Sequence, residues 1–512
     1  MPQPPARPLQ PADARDNLAS QGITTQKLNG QVYTPLDLAV SVVSRLRWPL
    51  HGEGRLLDPA CGDGVFLEAA VRKLVAMGRQ ADIPRIEGWD VDPDAVRACE
   101  ARLTVLCETL GLAERPVVRH LNALEQPARP SVDAVVGNPP YLEAKRMPAG
   151  LKRALKQQFP IAARGAFDLY GVFTELALRW VSEGGELAYV IPNRVLVTSA
   201  TGALRAEVLA AGEVGVADLS RERVFTDAAV YPVVLRVDTS RPSAYGVEDV
   251  DGMRLLGLSA EAISGLEGRW PLPEPTLQPL VERLCGRPNG WSPLRDRFEV
   301  RWTCSFHRAG LRDRYVAREE MGSRHARRFL GGLRYAGNRE LAPYAIDWSG
   351  AWIDYDEDRL RADKNPLPAL ALFERPKVVV PQNVRRPRAA LDRTGLVLKD
   401  TFLAVVAREA EDEATWLPWL TIVLNSIVFH HLYEALYGGT RKGGGYLHVL
   451  GSYLHPLPIP DPPAEAAALH EALVDQPTDA ALLLQADHMV EEAYALTPVE
   501  RSAVRARSLP EA

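Results

Sequence analysis

Four short apolar runs between residues 54 and 141 each stop at an acidic or amide side chain. This spacing constrains the fold more than any other feature of the sequence. The first, Leu56-Leu57-Asp58, enters the glycine turn Pro59-Ala60-Cys61-Gly62-Asp63-Gly64 and then a helix start at Val65-Phe66-Leu67. The second closes on Trp89-Asp90, the third on His120-Leu121-Asn122, and the fourth, Ala134-Val135-Val136-Gly137, on Asn138. Strand, turn and helix in repetition specify a parallel α/β sheet. The C-terminal ends of such strands share one edge. Asp58, Asp90, Asn122 and Asn138 are therefore expected side by side, where open α/β sheets bind ligands.

The local chemistry of each turn narrows the ligand. Gly62 and Gly64 let backbone come close to a bound group, and the helix N-terminus after them favours an anion such as a carboxylate. The spacing is not the dinucleotide GxGxxG. Asp90 occupies the position from which an acid takes ribose hydroxyls in doubly wound folds. The fourth turn differs in kind. Pro139 and Pro140 fix an extended, rigid backbone without N–H donors, so its carbonyls can only accept. Asn138 adds a side-chain amide and Tyr141 a flat aromatic face. A planar amino group on a heteroaromatic ring fits this set, with its two N–H bonds on Asn138 Oδ1 and the Pro139 carbonyl and its ring on Tyr141. Alone, Asn-Pro-Pro-Tyr could equally be a structural turn; its companions decide.

At 512 residues the chain exceeds one hydrophobic core, so at least two domains are expected. Five cysteines without zinc-type spacing suit a reducing cytoplasm, and no apolar run is long enough to span a membrane. Residues 1–28 are Pro-rich and polar and read as a disordered lead. Net charge is −5, yet from Arg283 to Arg339 there are 14 arginines, 5 acids and no lysine, leaving +9. Such a local excess is a footprint for phosphates, the alternative being a solvated arginine-rich surface.

Val32-Tyr33-Thr34-Pro35, the glycine turn, Asp90 and Asn138–Tyr141 stand in an order that resembles the S-adenosylmethionine-dependent methyltransferases. It is most similar to the TaqI-like (gamma-type) amino-methylating DNA methyltransferases. Phe167-Asp168-Leu169-Tyr170-Gly171-Val172-Phe173, Gly184–Pro192, and Glu222–Phe225 with Ala229–Leu235 continue the likeness to about residue 237. The resemblance implies a Rossmann-like, mostly parallel α/β catalytic domain over 29–240 and an α+β target-recognition domain over 241–512. It implies S-adenosylmethionine as cofactor, with Thr34, Asp58, Ala60, Gly62 and Gly64 about the methionine end and Asp90 on the ribose. Val91 and Asn122 would meet the adenine; the family usually has Asp at the latter position. Phe225 would face Tyr141 across the target-base pocket, unless it is an ordinary core phenylalanine. Thr34 is expected to cap the helix that Pro35 opens.

The second half resembles the same family's specificity domain more loosely. Its basic residues Arg324, Arg327, Arg328, Arg334, Arg385, Arg386, Arg388, Arg441 and Lys442 are the expected duplex-DNA contacts. Residues 463–508 are expected to form terminal helices. No metal site is expected: His430-His431 has no third ligand at a recognisable spacing. Glu143-Ala144-Lys145 lacks the upstream acid of a nuclease. The implied reaction is methylation of adenine N6 in a flipped-out base by direct displacement, within a restriction–modification or phage-defence system. The chain is expected to be a cytoplasmic monomer with double-stranded DNA as its partner; whether a separate cognate restriction endonuclease joins it stays open. Cytosine N4, RNA or protein glutamine as substrate, and a binding-only specificity subunit, remain open.

Overall fold

The computed structural model describes residues 34–50, 53–126, 132–219, 231–249, 254–259, 263–264, 266, 268–273, 275–285, 291–305, 314–320, 322–331, 340–363, 367–386, 388–438 and 446–506. The expected lead, 1–28, lies outside them. The chain folds as two compact units, the first ending at Ser264 and taking back Gly268–Pro271, the second comprising the remainder.

The first unit is built on a nine-stranded sheet of order β3-β2-β1-β4-β5-β7-β6-β8-β9. Its strands are β1 (Leu56–Asp58), β2 (Ile86–Asp90), β3 (Val117–His120), β4 (Val132–Gly137), β5 (Val181–Pro192), β6 (Glu213–Asp218), β7 (Pro232–Asp238), β8 (Ala244–Glu248) and β9 (Arg254–Leu258). β3, β2, β1, β4 and β5 run parallel to their neighbours, as the apolar runs predict. β7 then enters antiparallel between β5 and β6. From β1 the chain winds outward through β2 to β3 and returns to β1's other side as β4. The direction of winding thus reverses between Asp58 and Gly137.

Helices α1 (Leu36–Ser44), α2 (Val65–Ala76) and α3 (Pro93–Thr109) cover one face. Ala39, Val42 and Val43 of α1, at helical spacing, join Val71 and Leu74 of α2 and Leu103 of α3 over Leu56, Ala134, Val136 and Ala188. Each such buried aliphatic side chain stabilises the fold by roughly 1.5–3 kcal/mol. A fourth helix, α4 (Leu169–Trp180), is buried along most of its length. Its Trp180 packs edge-on against Trp89 of β2 with ring centroids 5.4 Å apart.

Two expectations change here. Pro35, not Thr34, caps α1. Its extended backbone (φ −61°, ψ 146°) makes its carbonyl the first acceptor, for Ala39 N–H at 3.1 Å, and puts Thr34 one residue too early. The domain boundary expected after residue 240 falls inside the sheet. The polar run there is a turn, in which Asp238 Oδ1 accepts from Ser240 N–H and Oγ–H, and it delivers β8 parallel to β6. A buried charge network locks this edge: Arg236 donates to Glu248 at 2.7 Å, Arg45 to Glu248 at 3.1 Å and Arg47 to Asp238 at 2.7 Å.

The second unit is α+β. Strands Phe298–Trp302, Phe402–Ala407, Lys377–Pro381 and Ala390–Asp392 form an antiparallel sheet in that order. Val316–Ala317, Trp352–Asp354, Ala326–Leu330 and Val397–Leu398 form another. Lys377 and Asp392, both fully buried, pair at 2.5 Å. Helices Glu413–Asn425 and Ile427–Tyr437 follow, and Ala466–Asp475, Ala480–Ala493 and Pro498–Arg505 supply the expected terminal helices. No helix among the described residues is long and apolar enough to cross a membrane.

Candidate active site

The sheet's reversal point holds the expected acids. Asp58 ends β1 almost fully buried, its Oδ1 accepting from Ala60 N–H at 3.1 Å. Oδ2 makes no hydrogen bond among the described residues. Gly137, on the neighbouring strand with φ +144°, makes room for it: a Cβ there would stand 2.6 Å from Asp58 Oδ1. Burial, helped by Asp90 and Asp63, pushes the Asp58 carboxyl up to about 8 against the opposing Ala60 N–H.

The glycine turn divides its labour. Gly64 (φ +85°) is the N-terminal residue of α2's cap, and a Cβ there would sit 2.5 Å from Cys99 Sγ, so packing demands it. Gly62 (φ +54°) faces open space. Asp90, at the end of β2, accepts from Gly62 N–H and from Asp92 N–H, each at 2.9 Å. It therefore holds the turn as well as facing the ligand space. Burial raises its carboxyl above the ordinary range, against these N–H donors.

Around these residues lies a cavity of about 520 Å³. Of the predicted residues, Thr34, Ala60, Gly62, Asp90, Val91, Asn122, Asn138 and Pro140 line it, and Asp58, Gly64, Pro139 and Tyr141 are not among its lining residues. Asn122 Oδ1 accepts from Leu124 N–H at 3.1 Å and its Nδ2 donates to Glu125 at 2.8 Å, so its amide also caps a short turn. Sequence reasoning missed Asp63, Asp92 and Asp94 and the apolar wall of Leu124, Leu142, Leu169 and Phe173. The signal was present in the i, i+4 pair Leu169 and Phe173, which share one face of α4.

The catalytic-loop candidates are firmly held. Asn138 Nδ2 donates to Thr34 Oγ1 at 3.0 Å. The Tyr141 hydroxyl donates to the Val190 carbonyl at 3.0 Å, and its ring meets Tyr170 edge-on at 6.2 Å. Burial pushes that phenol well above its usual range. After the loop, Leu169 N–H bonds Leu142 O at 3.0 Å and Ala144 N–H bonds Phe167 O at 2.9 Å. This short antiparallel bridge, with Glu143 opposite Asp168, carries Leu169 and Phe173 to the cavity. Glu143 also accepts from Arg194 at 2.9 Å, and burial lifts Asp168 to about 6. Phe225 lies outside the described residues. The strands flanking its segment pair Asp218 with Val233, and Pro192 with Pro232, at one sheet edge.

A cofactor bearing a sulfonium, an ammonium, a carboxylate and an adenosine fits this donor set. Among the described residues, the lining offers the carboxylates Asp63, Asp90, Asp92 and Asp94 and no arginine or lysine. The N-terminus of α2 (Val65 and Phe66) suits the carboxylate. Val91, Phe173 and Leu124 suit a flat ring. The orphaned Asp58 Oδ2 adds a buried acceptor behind the turn.

In the second unit, the expected DNA contacts fall into two groups. Arg324 is exposed beside the strand carrying Arg327 and Arg328. Arg327 lies 3.6 Å from Glu374, and the Arg328 guanidinium stands over Trp348 at 5.6 Å. Arg385 is exposed and stacks over Tyr446 at 5.2 Å; Arg386 is half-buried, and burial lowers Arg388. Arg334, Arg441 and Lys442 lie outside the described residues.

Residues 119–214 match the family described as Eco57I restriction-modification methylase, and residues 334–459 the TaqI-like C-terminal specificity domain. The Type II methyltransferase M.TthHB8I of Thermus thermophilus is 32% identical over 213 residues, covering 40% of this chain and 44% of that protein. M.PaeR7I of Pseudomonas aeruginosa is 32% identical over 179 residues, covering 31% and 30%. The chain thus spans less than half the length of either relative. The fold is shared with the Type IIL restriction-modification enzyme MmeI, solved in complex with DNA, at TM-score 0.54 and 13% identity over 98% of this chain and 76% of that one.

Proposed function

We propose, from the premise that this chain is a TaqI-like methyltransferase with a C-terminal specificity domain and S-adenosylmethionine as its cofactor, that it methylates N6 of an adenine flipped out of duplex DNA. The methylation would be site-specific and would serve as the modifying activity of a restriction–modification system. The observation that carries this reading is one of adjacency. Asn138, oriented by Thr34, opens on the same cavity as Asp90 and the Gly62 turn.

Bound there, S-adenosylmethionine supplies an electrophilic methyl group on a sulfonium. The protein's part is to hold and to orient. Asp90 takes ribose hydroxyls while keeping Gly62 in place. Because Nδ2 is given to Thr34, Asn138 presents Oδ1 as its acceptor end, and with the Pro139 carbonyl it takes the two N–H bonds of the target amino group. Such acceptors draw the nitrogen lone pair out of the ring and make it nucleophilic. Tyr141, pinned through its hydroxyl, offers a ring face to the flipped base, and Phe225 is the opposite wall. A base inside a duplex cannot present its amino group in line with a methyl donor, so it leaves the stack. The second unit's arginines supply the sequence-independent grip on phosphates.

Expression in a methylation-free host, followed by sequencing that detects modified bases, tests the proposal. N6-methyladenine within one sequence context is the expected result. N4-methylcytosine would move the target to the other exocyclic amine. Unmodified DNA together with tight cofactor binding would point to RNA or protein glutamine, and unmodified DNA without cofactor binding to a binding-only subunit.

A further inference from the structure

Among the described residues, His430, His431 and Glu434 form a cluster of metal-ligating side chains that the candidate active site does not use. All three lie on the helix Ile427–Tyr437 of the second unit. At about 100° per residue, Glu434 projects roughly 40° round from His430 and His431 about 100°, so the carboxylate rises between the two rings one turn further along. Glu434 Oε2 is 3.8 Å from His430 Nε2 and 3.8 Å from His431 Nδ1. The three donor atoms all lie within 4.8 Å of one another, and the imidazole centroids are 5.1 Å apart.

We propose that His430, His431 and Glu434 bind a divalent cation of the zinc class, with water completing the coordination. Ligand atoms at about 2.0–2.1 Å from such an ion, tetrahedrally disposed, stand about 3.3–3.4 Å apart. The two carboxylate–imidazole separations, 3.8 Å each, therefore need to close by about half an ångström, and the imidazole nitrogens, within 4.8 Å of each other, need a larger side-chain adjustment. Both histidines are buried and Glu434 is half-buried, so an ion here is shielded from competing bulk water. The spacing i, i+1, i+4 is not that of a zinc finger, which is why the adjacent histidines suggest only packing in the bare sequence. The ion would brace the last turn of a helix that leads directly into the basic, glycine-rich stretch 438–446.

The test uses the full chain, purified without a metal-affinity step, stripped with chelator and titrated with Zn²⁺ by calorimetry, with Co²⁺ added in parallel for its visible absorption. The expected result is about one ion per chain, a raised melting temperature and the intense bands of four-coordinate Co²⁺. Removing a buried imidazole opens a cavity, so the decisive variant is Glu434→Gln, which keeps the volume. It should melt with the wild type in chelator and bind Zn²⁺ at least about tenfold more weakly. No saturable binding would overturn the proposal. So would binding that Glu434→Gln leaves unchanged, since the ion would then sit elsewhere, for example on Asp63, Asp90 and Asp92.

Discussion

Asn138 Nδ2 donates to the Thr34 hydroxyl at 3.0 Å, joining residues 104 positions apart in the chain. The bond ties the segment before α1 to the turn after β4 and fixes which end of the amide faces the cavity. Asn138→Ala should slow methylation by at least about a hundredfold while leaving cofactor binding nearly intact, because one such acceptor in a closed site is worth ~3 kcal/mol in the transition state. Thr34→Val should be milder, removing roughly 0.5–1.5 kcal/mol and slowing turnover by about two- to tenfold. Single-turnover rates with labelled cofactor measure both. Near-normal turnover in Asn138→Ala would refute the mechanism.

Asp90→Ala should weaken S-adenosylmethionine binding by about 1.5–3 kcal/mol, the value of charge-assisted hydrogen bonds, with little change in DNA affinity. Loss of the bond from Gly62 N–H should loosen the glycine turn as well. Asp90→Asn, which keeps an acceptor there, should recover part of the loss. Calorimetry decides; an unchanged dissociation constant would put the ribose elsewhere.

Cofactor affinity should rise with pH. The folded protein holds the Asp58 proton more tightly than the unfolded chain, because burial lifts the carboxyl from 3.8 to about 8. The stabilisation that this proton confers is complete below 3.8 and is lost as pH climbs to about 8. A cationic cofactor favours the ionised carboxyl, so binding should tighten by at most about tenfold per pH unit up to that point. Asp58→Asn should flatten the dependence and melt higher than the wild type at alkaline pH when cofactor is absent. A wild-type dissociation constant that does not move with pH would remove Asp58 from the linkage.

Arg327→Glu combined with Arg328→Glu should flatten the salt dependence of DNA binding, each true phosphate contact contributing about −0.9 to the slope of log K against log salt. Arg327 is shared with Glu374 and Arg328 with Trp348, so the two need not count equally. Fluorescence anisotropy across a salt series gives the slope. An unaltered slope would leave these arginines to solvent.

The parallel half of the sheet was legible because its central strands β1 and β4 are buried throughout and its strands end on chemistry-bearing residues such as Asp58 and Asp90. The antiparallel half was not. The run from Val237 to Ser243 looks like a linker because an Asx turn and a linker use the same residues, and only the pairing of Glu213 with Ala244 tells them apart. In the site, residues that must be a particular type were found. The acid Asp94 and the aromatic Phe173 were missed, since any helix can carry them and only the fold aims them at the cavity. Asn122 was seen as a ligand residue, while its role as a turn cap depends on Glu125, three residues on.

The strand pair β8–β9 also decides where this chain can be cut. A fragment ending near residue 240 keeps every active-site candidate but strips the partner from β6, whose Val214 and Val216 are buried. It also takes Glu248 away from Arg45 and Arg236, leaving buried guanidiniums short of their counter-charge. Such a fragment would present a bare apolar edge, an invitation to stack with its own copies. Truncation after Pro271 leaves the sheet whole. Any graft of this catalytic half onto a different recognition module should therefore carry some thirty residues that do no chemistry and keep it soluble.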